Sequence, residues 1–152
     1  LQMGEGLPHA AVVAERTDDS EERLDSFGRN LGMAFQMIDD AIDYISDEET
    51  MGKGVGDDFR DGKITLPVIL AYARGDADER AFWQDAMAGN RVSAEDLTYA
   101  TTLLHKHDAV KDTMERARVY GQKAIDALAV FADTPAKAAL CEAVAFAVAR
   151  AY

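Results

Sequence analysis

Asp39, Asp40 and Asp43 interrupt an otherwise apolar run, FQMIDDAIDY from Phe35 to Tyr44. On a helix turning about 100° per residue, Asp39 and Asp43 are i, i+4 neighbours and Asp40 and Asp43 are i, i+3 neighbours. Exposed like-charged pairs at these spacings repel by about 0.2–0.5 kcal/mol each. Partial burial enlarges that cost and drives proton uptake. A divalent cation removes the conflict. Three carboxylates on one helical face offer hard oxygens to Mg²⁺, which keeps several waters and bridges to phosphate oxygens. Gln36 adds a neutral hydrogen-bonding group one turn earlier on the same face. A solvated acidic face would show the same three aspartates, so the neighbouring segment has to decide between the two.

The next segment with chemistry is MGKGVGDDFRDGKITLP, from Met51 to Pro67. Glycines at 52, 54, 56 and 62 permit tight turns and close backbone approach. Lys53 and Lys63 supply point charges suited to phosphate oxygens. The segment is not a P-loop, because Lys63 is followed by Ile64 and position 57 is Asp. An acidic metal face with a Gly/Lys loop close behind it describes a clamp. Asp39, Asp40 and Asp43 would hold Mg²⁺, a diphosphate would sit between, and Lys53 and Lys63 would lie on the far side.

The elements that must position these residues read as helices. Alanine is abundant, proline occurs only at 8, 67 and 135, and apolar residues recur at three and four. A short helix is expected over His9–Glu15, and a long one over Ser20–Ser46 after the polar Thr17–Glu22 stretch. In the long helix Leu31, Ala34, Phe35, Ile38, Ile42 and Ile45 form the expected core face. Gln36, Asp39, Asp40 and Asp43 form another. A loop spans Gly52–Gly62, and Pro67 suits the first turn of the next helix. Ser93 with Asp96, and Thr134 before Pro135, start two more. Amphipathic segments over Ala77–Ala88 and Ala109–Ala132 complete an all-α bundle.

The bulk numbers bound the function. The 152 residues suffice for one domain with a core, and the net charge is −12 from 28 acidic and 16 basic residues. That balance argues against nucleic acid and an anionic membrane surface as partners. Cys141 stands alone, so neither an internal disulfide nor a cysteine zinc site is expected, and a reducing compartment fits. No apolar run approaches the roughly 20 residues needed to span a bilayer. His9, His105 and His107 are scattered without ligand spacing and read as surface or capping residues. Met33, Met37, Phe82, Trp83 and Met87 read as packing residues.

GMAFQMIDDAIDY (Gly32–Tyr44) resembles the second aspartate-rich motif of the trans-isoprenyl diphosphate synthases, in particular bacterial polyprenyl synthases of octaprenyl or decaprenyl type. GKGVGDDFRDGKITLPVI (Gly52–Ile69) resembles the segment after that motif. The resemblance implies the helical bundle of the isoprenoid synthase type and a prenyltransferase that condenses isopentenyl diphosphate with an allylic prenyl diphosphate. It implies metal carboxylates at Asp39, Asp40 and Asp43, diphosphate binding at Gln36, Lys53 and Lys63, and catalytic charge stabilisation by the two lysines. Mg²⁺, a homodimer and a cytoplasmic location come with it.

The family's first aspartate-rich motif, with its arginine pair, is not in the sequence. Asp18–Glu22 (DDSEE) mimics it but lies too close to the second motif and reads as helix capping. Leu1–Pro8 carries no initiator Met. The chain therefore reads as the C-terminal part, residues 1–152, of a single isoprenoid-synthase-like domain, inactive by itself. The alternatives are a non-catalytic partner subunit of a polyprenyl synthase and a helical interaction domain.

Overall fold

The structure, a computed structural model, describes residues 18–45 and 56–149. Among the described residues every regular element is a helix. The elements are α1 (Asp18–Ile42), α2 (Asp57–Arg60), α3 (Leu66–Arg74), α4 (Ala77–Met87), α5 (Ala94–Lys106), α6 (Ala109–Ala127) and α7 (Pro135–Ala149). The helix expected over His9–Glu15 lies outside the described residues.

The start signals work as their chemistry requires. Ser93 and Asp96 form a reciprocal capping box at α5. Asp76 and Glu79 form another at α4, a D-x-x-E signal absent from the expectations above. The Lys137 N–H donates to Thr134 Oγ1 at 3.2 Å at the start of α7. Thr65 is the exception: it is the N-cap residue of α3 but its side chain makes no cap bond, and Pro67 in the first turn marks the start.

α1 stops at Ile42 rather than continuing to Ser46. Its last turn carries no basic residue, while Asp39 and Asp40 bring negative charge to the negative end of the helix dipole. The ladder then tightens. The Asp43 N–H still reaches Asp39 O at 3.2 Å, but the Tyr44 and Ile45 N–H groups reach back only three residues, to Ala41 O and Ile42 O at 3.1 Å. Ile45, expected in the core, lies beyond the helix and is 49% exposed. The buried positions of α1 are Phe27, Gly28, Ala34, Met37, Ile38, Asp40 and Ala41, with Tyr44 in the turn beyond. Asp40 thus falls on the buried side, a correction to the expected facing. α6 likewise ends at Ala127 rather than Ala132, because residues 128–131 turn through three-residue bonds.

The chain divides into two compact units, residues 1–38 with 115–152, and residues 39–114. In the first, Phe27, Ala124, Ala127, Leu128 and Val144 form the core. Gly121 lies where an added Cβ would stand 2.8 Å from Val148 Cγ2, so only glycine allows α6 and α7 this close. In the second, Tyr44, Phe59, Val68, Phe82, Trp83, Leu103 and Leu104 are packed together. Full burial stabilises each such side chain by about 1.5–3 kcal/mol. Edge-to-face contacts at 5.4 Å between Phe82 and Trp83, and at 4.7 Å between Phe82 and Tyr99, order this core.

Candidate functional site

The second unit carries the aspartates. Asp39 is exposed, Asp43 is half-buried, and Asp40 is 8% exposed. Three identical side chains thus stand in three environments, because the end of α1 rolls from solvent into the core across them. Burial, then the Asp58 carboxylate, pushes the Asp43 carboxyl above its usual range. The hydrogen bond from the Asp58 backbone N–H acts the other way, and so, more weakly, does the Lys63 charge.

Asp43 is pinned from two directions by the turn that opens α2. The Gly56 N–H donates to Asp43 O at 2.9 Å, and the Asp58 N–H donates to Asp43 Oδ2 at 3.1 Å. Gly56 makes this possible because its φ of 78° is left-handed. An added Cβ there would stand 2.3 Å from Leu97 Cδ1. The loop expected over Gly52–Gly62 therefore contains one helical turn, and the Gly56 and Asp58 amides at its start reach Asp43 at the end of α1.

Lys63 is exposed, and its ammonium donates to Asp58 Oδ1 at 2.5 Å. Asp61 Oδ2 lies 3.8 Å away. The hydrogen bond to Asp58, then that carboxylate's charge, holds the ammonium above its usual range. Lys63 is therefore fully charged near neutrality and is reached from Asp43 through Asp58. Asp57 pairs with Arg60 at 3.1 Å on the outside of the same turn. The other expected lysine, Lys53, lies outside the described residues. Gln36 is exposed on α1 and falls in the first unit.

Among the described residues no three His, Cys, Asp or Glu side chains stand in a closed metal-holding arrangement. Mg²⁺ does not need one, since one or two carboxylates, waters and substrate phosphates complete its octahedron. The donor set fits such an ion. Asp43 is an ionisable carboxyl whose charge the surrounding protein does not fully compensate, and Asp39 is open to solvent beside it on the helix.

One polar constellation could not be expected from the sequence. Glu79, 4% exposed, accepts from Lys106 Nζ, from the Asp76 N–H at 3.1 Å, and pairs with His107 Nε2 at 2.8 Å. The hydrogen bond from Lys106, then that with His107, holds its carboxyl down to about 2. Arg74 ties the same corner to the His107 carbonyl at 2.6 Å and to Asp112. His107 is thus a capping histidine, as expected, but with a buried carboxylate partner that spacing along the chain did not reveal. The cluster joins α3, α4, α5 and α6.

Known proteins are similar to this chain in sequence and in fold. The polyprenyl synthetase family model matches residues 6–104. Octaprenyl diphosphate synthase from Haemophilus influenzae is 37% identical over 144 residues, covering 94% of this chain and 43% of that protein. A decaprenyl diphosphate synthase from Rhodobacter capsulatus superposes with a TM-score of 0.90 at 33% identity, over 99% of this chain and 46% of that one. A polyprenyl synthase from Caulobacter crescentus, solved with calcium and isoprenyl diphosphate, gives 0.87 at 39% identity, over 99% and 46%. The chain spans less than half the length of these relatives. With a helical fold shared over nearly its whole length and an aspartate-ended helix facing a Gly/Lys turn, the chain belongs to the polyprenyl synthetase family.

Proposed function

We propose that this chain is the C-terminal, second-motif part of a polyprenyl diphosphate synthase. That enzyme condenses isopentenyl diphosphate with an allylic prenyl diphosphate to give a longer trans-polyprenyl diphosphate. One observation carries the reading: Asp43 is held by the Gly56–Asp58 turn with its negative charge only partly offset, at the end of the helix that also bears Asp39 and Asp40.

In the reaction the allylic C–O bond breaks and the diphosphate leaves with the electron pair. The isopentenyl double bond attacks the allylic carbon, and a proton is then lost. Mg²⁺, when bound, supplies charge neutralisation for the departing diphosphate. Asp39, Asp40 and Asp43 are the residues that would hold it. Lys63, kept charged by Asp58, adds positive potential where negative charge develops, and Lys53 and Gln36 are assigned to the diphosphate by the family resemblance. Mg²⁺ dependence, a homodimer and a cytoplasmic location belong to the same proposal. So does inactivity of the 152-residue chain alone, because one aspartate motif is half of the family's metal-binding set.

The test is incorporation of labelled isopentenyl diphosphate by the complete gene product and by this chain. Asp39→Ala or Asp40→Ala in the complete protein is expected to lower turnover by about 10²-fold or more, and the chain alone is expected to show none. An unchanged rate in either variant sinks the site assignment, and turnover by the chain alone sinks the half-site reading.

A further inference from the structure

The second unit also carries an apolar groove that the proposed chemistry does not use. It lies between α3 and α4, encloses about 280 Å³, and is lined by Ile64, Val68, Ile69, Tyr72, Trp83 and Met87, with Gln84 beside them. No charged side chain lines it. Val68 and Trp83 are buried beneath it, whereas Ile64 is 68% exposed and Ile69 is 49% exposed. Single apolar side chains on a surface are ordinary. A continuous apolar concavity on a chain of net charge −12 is not. Its polar groups are paired with each other, since Gln84 Nε2 donates to Tyr72 Oη at 3.1 Å.

Arg80 stands at the Tyr72 end. Its guanidinium carbon lies 6.0 Å from the centroid of the Tyr72 ring. Its Nε donates to Tyr72 O and its Nη2 to Ala73 O, both at 3.2 Å, at the carbonyl end of α3. These bonds use two of the five N–H donors of a guanidinium and leave the rest for a ligand. Arg60, Arg74 and Arg91 of the same unit each pair with a carboxylate. Among the described residues no carboxylate pairs with Arg80.

We infer that this groove is a second ligand site, which takes the apolar tail of a prenyl phosphate along α3 and its anionic head on Arg80. Charge selects the head: a planar guanidinium with N–H groups to spare matches phosphate oxygens. The uncharged lining selects the tail. The volume lies just below the roughly 300–1,000 Å³ of small-molecule sites, which suits part of a linear tail better than a protein face. The site is separate from the carboxylates. Lys63 precedes the start of α3 and Arg80 bonds to its end, and the 9 residues of α3 span about 13 Å. The isoprenoid nature of the tail rests on the proposed function, whereas the groove and Arg80 do not depend on the metal site.

Trp83 is the chain's one tryptophan, so its emission reads the groove directly. The test titrates farnesyl monophosphate, below its micellar concentration and in chelator, into the 152-residue chain. The inference predicts a saturable change in Trp83 emission. It predicts binding about tenfold weaker in Arg80→Gln and about fivefold weaker in Ile69→Asn. Ile69 is exposed, so its variant keeps the test open should Arg80→Gln disturb the end of α3. Farnesol should bind the parent as weakly as farnesyl monophosphate binds Arg80→Gln, and inorganic phosphate should leave the emission unchanged. An absent or unsaturable change overturns the inference. So does equal affinity for farnesol and farnesyl monophosphate, or unchanged affinity in Ile69→Asn. Equal binding of dodecyl phosphate overturns the isoprenoid assignment. Binding seen only when Mg²⁺ is added also overturns the inference, because the ligand then sits at the carboxylates. With no metal present, failure of the metal-site reading leaves this test standing, and failure here leaves the metal site standing.

Discussion

The Asp58 backbone N–H donates to Asp43 Oδ2 at 3.1 Å, while the Asp58 side chain holds Lys63 at 2.5 Å. One residue therefore orients an anion with its backbone and a cation with its side chain. This relay joins Asp43 to Lys63, and under the proposed function it prepares the carboxylate end of α1 for a cation.

Preparation has a cost that can be measured. Burial and the Asp58 charge raise the Asp43 pKa above 3.8 in the fold. A carboxyl raised in this way destabilises the fold once ionised. The penalty is absent below pH 3.8 and grows as pH rises through the folded value. Asp43→Asn keeps an oxygen for the Asp58 N–H and removes the charge. At pH 7 in chelator its melting temperature is expected above that of the parent, and any rise that Mg²⁺ gives the parent is expected to shrink. A lower melting temperature for Asp43→Asn would contradict the electrostatic reading.

Glu79 behaves in the opposite sense. Its folded pKa of about 2 lies below the ordinary 4.5, so its contribution is complete above pH 4.5 and is lost as pH falls through about 2. Glu79→Gln is expected to be less stable than the parent at pH 7. Its stability should also change less between pH 4.5 and 2. Parallel acid-unfolding curves for the two proteins would show that the Lys106–His107 cluster does not hold the carboxylate.

Gly56 and Gly89 share a φ of 78° but not their surroundings. Placing alanine at either costs about 1–2 kcal/mol in left-handed strain. At Gly56 the added carbon also meets Leu97, whereas at Gly89 nothing lies within 4 Å. In urea, Gly56→Ala is therefore expected to lose about 1 kcal/mol or more beyond Gly89→Ala, and to weaken Mn²⁺ binding because its N–H reaches Asp43. Equal losses would remove the steric argument for Gly56.

The helices are legible in the sequence because their signals are local. Ser93 with Asp96, Thr134 and the Thr65–Pro67 start all act within one turn. The Asp76–Glu79 box is equally local, and its D-x-x-E spacing is visible in the sequence once sought. Other features are not legible, for a physical reason. The burial of Asp40 depends on where α1 stops and what packs beside it, which a helical wheel does not contain. Glu79 meets Lys106 and His107 across 27 and 28 positions, through the fold alone. The aspartates and Lys63 stand out by type and spacing, but the Asp58 relay between them depends on the left-handed turn at Gly56.

The most direct measurement is calorimetric titration of inorganic diphosphate into the 152-residue chain, with and without Mg²⁺, beside the Asp39→Asn, Asp40→Asn, Asp43→Asn triple variant. Binding that requires Mg²⁺ and disappears in a folded triple variant is the expected result. Binding of equal strength without Mg²⁺, in the triple variant, or in neither protein would contradict a metal–diphosphate clamp built on these three carboxylates.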